Sequence, residues 1–360
     1  MALLRIKDSE RTGCAACEFG SKDPCGQVEA HLQTLERFVI GVDVGGTKVA
    51  AGLVNCNGEI QGHVRVPMAA SGSPDAGLAA VTSAIDLLLT PETAPSVLGI
   101  GICAPGPLDP NTGVVINPPN LPCWRNFPLA DKVKGKYNLP VTLDNDANAA
   151  ALAEAQWGAG RTYHCVFYAT LGTGIGTGIV LDGRLYHGRT GAAGEGGHMS
   201  IDCRGPICKC GKPGCIEVLA SGPAIAARAR AKLLSAPDRR SLLRELSKGN
   251  LDAVSGEMVG SAYASGDPIA KEVLEETVGL LSLWLSNIVD LLDPEVIIIG
   301  GGVSSLLSPF FGEIRRRLPA LCLNPRSHEL PLVQACYKAN AGIAVGAALS
   351  SHLFARDCED

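Results

Sequence analysis

The sequence is poor in aromatic residues, has no excess of positive charge and contains no long uncharged apolar run. Phe, Trp and Tyr make up 4% of its 360 residues, too few to build stacking platforms for bases. The formal net charge is −5, whereas non-specific nucleic-acid binding needs a basic surface, so no nucleic-acid partner is expected. No stretch of about 18 apolar residues runs free of charge, so neither a membrane span nor a membrane partner is expected. The opening MALLRIKDSE meets charge too early for a secretory leader. Fourteen cysteines in a chain this long do not make a small disulfide scaffold. Most, such as Cys103, Cys165, Cys322 and Cys336, stand singly in apolar segments, the pattern of reduced core thiols. The expectation is a cytoplasmic enzyme with one large or two ordinary domains.

Glycine is abundant, at 43 residues, and clusters in short loops after apolar runs, which suits tight turns near ligands. Residues 1–37 carry six acids against five bases with little helical spacing. They read as a poorly ordered extension in which Cys14, Cys17 and Cys25 lack an obvious fourth metal ligand. From RFVIGVDVGG onward the patterning is regular. Alternating stretches meet at Asn57-Gly58 and at Asp182-Gly183, both hairpin signals. A helix is expected from about Asp75 to Leu89, then a buried strand VLGIGICA. LPVTLDNDANAAALAEAQWGAG reads as strand, polar cap and Ala-rich helix stopped by Gly158. DPIAKEVLEETVGLLSLWLSNIVDLLD is one long amphipathic stretch, EVIIIGGG a buried strand, and AGIAVGAALSSHLF a last helix. Two β-rich starts, each with a Gly-Thr loop, suggest two related α/β lobes that divide near Val141 to Asn145.

Glycine loops stand out at three places. In GVDVGGTK, Gly41 and Gly46 have P-loop spacing, but Thr47-Lys48 reverses the Lys-Ser/Thr order and a strand follows where a P-loop needs a helix. Such a strand–Gly45-Gly46-Thr47–strand turn still offers N–H groups to phosphate, with Asp43 near a hydrated Mg²⁺; a plain β-turn is the alternative. LGTGIGTGIV places Gly172, Thr173 and Gly174 between strands and lacks G-x-G-x-x-G. DPEVIIIGGGVSSL runs from a strand into Gly300, Gly301 and Gly302. Together the loops favour a nucleotide cleft between two lobes.

The succession VDVGGTK, LDNDANAAALAE, LGTGIGTGI, AGEGGH, CKCGKPGCIE and DPEVIIIGGGVS resembles the ROK family of sugar kinases and sugar-responsive repressors, and within it bacterial ATP-dependent glucokinases. The likeness runs from about Phe38 to the last helix. It implies an α/β, actin-like ATPase (ribonuclease H-like) fold: two lobes around a nucleotide/sugar cleft, with a structural zinc loop at 198–217. The implied lobes are 38–142, joined by a C-terminal helix at about 338–356, and 143–337. The resemblance further implies transfer from ATP to the 6-hydroxyl of a hexose, glucose foremost, with N-acetylmannosamine, N-acetylglucosamine or fructose as variants, and a homodimer. A repressor is the other class in the family, but its winged helix-turn-helix would need more than a short, nearly neutral leading segment.

By that resemblance Asp146 is the catalytic base. A bare DNDAN could equally be a helix cap, and both readings hold if Asp144 or Asn145 caps while Asp146 faces the cleft. A helix N-terminus is expected to hold Asp146 ionised. Asn120, Asn145, Glu195, His198 and Glu217 match sugar contacts. Asp43, Gly45, Gly46, Thr47 and Lys48, Gly172 to Gly174 and Gly300 to Gly302 match the ATP and Mg²⁺ side. His198, Cys208, Cys210 and Cys215 make a Cys₃His set suited to a structural Zn²⁺, with Cys203 as rival ligand. His198 is expected to bind metal through one ring nitrogen and leave the other for the sugar. Gly196 departs from the family, which usually has an apolar residue there, and is expected to loosen the loop.

Overall fold

A computed structural model describes residues 36–337 and 342–356. The expectations for the extension and for Cys14, Cys17 and Cys25 fall outside the described residues. The first strands are β1 (Phe38–Val44), β2 (Lys48–Val54) and β3 (Ile60–Pro67), followed by α1 (Pro74–Asp86) and β4 (Val97–Ala104). The ribbon β5 (Leu108–Asp109) and β6 (Val114–Val115) precedes α2 (Leu129–Tyr137), β7 (Val141–Asn145) and α3 (Asp146–Trp157). Next come β8 (Cys165–Leu171), β9 (Ile175–Leu181) and β10 (Arg184–Leu185). A helical stretch follows with α4 (Ile216–Ala220), α5 (Gly222–Ser235), α6 (Leu242–Leu246), α7 (Gly256–Ala264) and α8 (Pro268–Leu292). The chain then forms β11 (Val296–Gly300), α9 (Ser304–Leu307), α10 (Phe311–Arg317), β12 (Leu332–Gln334), α11 (Gly342–Ala348) and α12 (His352–Arg356).

The duplication read from the glycine loops is visible in topology. One sheet has the order β3-β2-β1-β4-β7 and the other β10-β9-β8-β11-β12. In each, an antiparallel meander supplies the first strands and parallel strands complete the sheet. The Asp182-Gly183 turn has both residues at positive φ (49° and 73°), the conformation that matches strand twist in a two-residue hairpin.

Helices α3 and α11 pack on each other between the sheets, α3 covering β8 and β9 and α11 covering β1 and β4. Many of their facing residues are small: Ala149, Ala151, Ala153 and Ala348 are fully buried, beside the buried Leu152, Val345 and Leu349. Small side chains let helix and sheet backbones approach, and dense contact replaces bulk as the source of packing energy. The largest core lies on the outer face of the second sheet, where Phe167, Ile297 and Ile299 meet α8 through Trp284, Leu281 and Leu285. Asp267 caps α8 by accepting the Ile269 and Ala270 N–H groups, each at 2.9 Å.

The last helix differs from its sequence reading. It is two short helices, α11 and α12, separated at Leu349–Ser351. Ser351 Oγ donates to Ala348 O at 2.6 Å, the local side-chain bond by which serine competes with helix continuation.

Candidate active site at the strand ends

The parallel strands β1, β4 and β7 end together, pairing Asp43 with Cys103, Cys103 with Asp144, and Ala104 with Asn145. Carboxyl ends of parallel strands are where open α/β sheets bind ligands, because the chain leaves the sheet there. Asn145 is the cap of α3: its side chain accepts the Asn148 N–H at 2.8 Å. Asp144 points elsewhere. Its Oδ1 accepts the Asn145 N–H at 2.7 Å and the Asn148 side-chain amide at 2.9 Å, and its Oδ2 pairs with His187 Nε2 at 2.5 Å. Asp146, released from capping, accepts the adjacent Ala147 N–H at 2.9 Å.

The electrostatics of Asp146 involve more than the helix N-terminus expected to hold it ionised. Desolvation pushes its carboxyl above the ordinary 3.8, the charges of Asp43 and Glu195 add to the rise, and the Ala147 N–H opposes it. The residue is exposed at its surface while protein crowds the volume around it, so solvent access and desolvation coexist. Desolvation outweighs the backbone N–H groups here, and the group is a stronger base than an ordinary carboxylate. Asp43 is raised too, by burial, against the opposing Cys103 thiol, whose Sγ lies 3.8 Å from Oδ1, and the Lys48 charge. Asp43, Asp146 and Glu195 thus share one field.

The first glycine loop closes on itself. The Gly45 N–H donates to Lys48 O at 2.9 Å, so that donor is not free for phosphate. Thr47 and Lys48 are exposed. Gly46 lies against Asn120, whose backbone oxygen is 2.9 Å from where a Cβ on residue 46 would stand. The other two loops lie together at the ends of β8 and β11. Val303 N–H donates to Leu171 O and Gly222 N–H to Gly172 O, both at 2.9 Å. They open on a cavity of about 970 Å³ lined by Gly172, Thr173 and Gly302, with Pro223, Val254 and Tyr263 opposite. Gly174, Gly300 and Gly301 do not line it, nor does the 45–48 loop. Gly174 instead admits Glu217: its Cβ would fall 2.5 Å from Glu217 Oε2, the oxygen that accepts the Ile175 N–H at 3.0 Å. Nothing in the local sequence flags Pro223, Val254 or Tyr263, which reach the cavity only because α5, α7 and the turn before α7 fold back over the loops.

Glu195 precedes and His198 ends the short turn Gly196–His198, with the His198 N–H donating to Glu195 O at 3.0 Å. The expected loosening at Gly196 does not occur. Its N–H is held by Thr177 Oγ1 at 2.8 Å and its carbonyl accepts the Trp284 indole N–H at 3.0 Å.

The ligand atoms of His198, Cys208, Cys210 and Cys215 all lie within 4.8 Å of one another. Cys208 Sγ is 3.6 Å from His198 Nδ1, and Cys210 Sγ is 3.5 Å from Cys215 Sγ. A tetrahedron built on ordinary zinc–sulfur and zinc–nitrogen bonds has edges of about 3.6 to 3.8 Å, so the donor set fits such an ion. Burial, together with the neighbouring Cys210 and Cys208 sulfurs, pushes the Cys215 thiol up to about 12; sulfurs this close coexist as thiolates only around a cation. His198 Nδ1 faces the sulfurs and leaves Nε2 for another partner. Cys203 is exposed and outside the group.

Among curated proteins, the chain is 36% identical over 267 residues to a glucokinase from Streptomyces coelicolor, covering 74% of this chain and 82% of that protein. It is 31% identical over 291 residues to a xylose repressor from Caldicellulosiruptor bescii, covering 80% of this chain and 70% of that protein. A ROK family glucokinase from Streptomyces griseus, solved in complex with glucose and AMPPNP, matches with TM-score 0.69 and 36% identity, covering 87% of this chain and 98% of that one. The ROK family model matches residues 39–352. The paired sheets, the strand-end carboxylates and the His/Cys loop therefore belong to a chain that is a member of the ROK family.

Proposed function

We propose that the protein is an ATP-dependent hexose kinase that phosphorylates the 6-hydroxyl of glucose. The observation that carries this reading is Asp146: a carboxyl freed from capping by Asn145, raised in basicity by burial, and grouped with Asp43 and Glu195 at the strand ends. Phosphoryl transfer passes through a loose transition state, so positioning and charge neutralisation dominate. Asp146 accepts the proton of the sugar 6-hydroxyl as its oxygen bonds to the γ-phosphorus, while the bond from that phosphorus to the β–γ bridging oxygen breaks and ADP leaves. Asn120, Asn145, Glu195, His198 Nε2 and Glu217 hold the other hydroxyls, being short polar groups with donor or acceptor capacity. The nucleoside occupies the cavity at Gly172, Thr173 and Gly302, with Lys48 and Thr47 on the phosphate side.

Asp43 would hold Mg²⁺ through one carboxylate and water, which fits a half-buried acid whose charge reaches Asp146. The ion would neutralise charge on the phosphates. His198, Cys208, Cys210 and Cys215 would hold Zn²⁺, which would fix the loop carrying Glu217. Residues 38–142 with α11 and α12 form one lobe of this reading and 143–337 the other. A homodimer belongs to this reading through the family resemblance alone. Among the described residues no helix is long and apolar enough to cross a membrane.

ADP release measured across hexoses and N-acetylhexosamines tests the reading. Turnover with glucose in preference to the others is the expected result. Absence of turnover with every sugar overturns it, and sugar binding without turnover places the chain with the repressor relatives.

A further inference from the structure

Glu195 makes no side-chain hydrogen bond that fixes it among the described residues, yet the backbone on both sides of it is fastened. We propose that Thr177, on β9, is a positioning residue that sets Glu195 for the sugar, an inference that rests on the kinase reading above. Thr177 is 4% exposed. Its hydroxyl donates to Gly194 O and accepts the Gly196 N–H at 2.8 Å, so its one donor and one of its acceptor sites go to the two neighbours of Glu195. Gly196 O in turn accepts the Nε1–H of Trp284, a fully buried side chain. The Glu195 carbonyl accepts the His198 N–H at 3.0 Å, so the same clamp sets the turn that aims His198.

The clamp is tight enough to dictate its own composition. A Cβ on residue 196 would stand 2.8 Å from Thr177 Oγ1 and 3.2 Å from Thr177 Cγ2, so glycine there and threonine opposite are a matched pair. The strand that carries Thr177 starts at Ile175, whose N–H is held by Glu217. One strand therefore registers Glu195 through Thr177 and Glu217 through Ile175, directly after the nucleotide loop at 172–174. Valine keeps the shape of threonine but leaves Gly194 O and Gly196 N–H unpaired, and the Glu195 loop is then free to shift.

The experiment is steady-state kinetics on Thr177→Val, Thr177→Ser and Gly196→Ala, with the sugar that the wild-type protein turns over. Thr177→Val should raise the sugar KM about ten-fold, the loss of a hydrogen-bond pair's worth of positioning, with kcat and the ATP KM changed less than about three-fold. Thr177→Ser, which keeps the hydroxyl, should return the sugar KM to within about two-fold of wild type. Gly196→Ala pushes on the same contact without removing the hydroxyl and should also raise the sugar KM selectively; it decides the matter if the valine variant fails to fold. A lowered melting temperature with unchanged kinetics in Thr177→Val, or no rescue by serine, overturns the inference alone. Wild-type protein that turns over no sugar overturns the kinase reading and this inference with it.

Discussion

Replacing Asp146 by Asn separates the chemical role of that carboxyl from its structural one. Asn retains an oxygen for the Ala147 N–H, now 2.9 Å from Oδ1, and the helix keeps its cap, because Asn145 provides it. Structural loss should therefore be small. The raised carboxyl points further. A group whose folded-state value lies above the ordinary 3.8 disfavours the folded protein once it ionises, so a neutral side chain should leave the melting temperature at neutral pH unchanged or higher. Removal of a general base costs about 10² to 10⁴ in rate, equivalent to about 2.7 to 5.5 kcal/mol of transition-state stabilisation. The expected result is a collapse of kcat in an ADP-release assay, with sugar affinity by calorimetry within about three-fold of wild type. In the wild type, the acidic limb of the pH–kcat/KM profile should fall above 3.8, in the direction of the Asp146 shift. A kcat reduced less than about ten-fold, or affinity lost in step with kcat, refutes the assignment of Asp146 as base.

Other perturbations test the scaffold around it. Glu154 is fully buried and accepts the Tyr337 N–H at 2.7 Å and the Ala159 N–H at 2.8 Å. Glu154→Gln sets an amide N–H₂ against one of those donors and should cost about 1.5 to 3 kcal/mol in urea unfolding; a loss under about 0.5 kcal/mol would show that the carboxylate is dispensable. The Asp144 hydrogen bond raises His187 above its ordinary 6.5 against the opposing effect of burial. Its stabilisation is therefore complete below that value and is lost as pH rises through the raised folded-state value. His187→Asn should be most destabilising near about pH 6 and progressively less so toward about pH 9, and an equal effect at both ends would count against the pair. Chelation of the His198/Cys208/Cys210/Cys215 site should raise the sugar KM before nucleotide affinity changes, with metal content followed in parallel. An unchanged sugar KM in fully demetallated protein would remove the metal from the sugar pocket.

Several parts of this molecule are legible in its sequence because they depend on neighbouring residues. Asn145 caps α3 through a bond spanning three residues, Asp182-Gly183 turns through its own dihedral angles, and Cys208, Cys210 and Cys215 lie close enough in the chain for one loop to gather them. The two meanders follow from apolar runs joined by hairpin turns, and their likeness announces the duplicated sheets. What the sequence could not show is the sum of distant surroundings. The sign of the Asp146 shift depends on burial and on Asp43 and Glu195, remote in the chain. The far wall of the cavity depends on α5 and α7 returning to the glycine loops. Gly196 reads as slack in isolation and is pinned once Thr177 and Trp284 are packed against it. Backbone conformation is set over a few residues, whereas desolvation, electrostatic field and close contact are set by every atom within several ångströms. Only the tertiary structure decides which atoms those are.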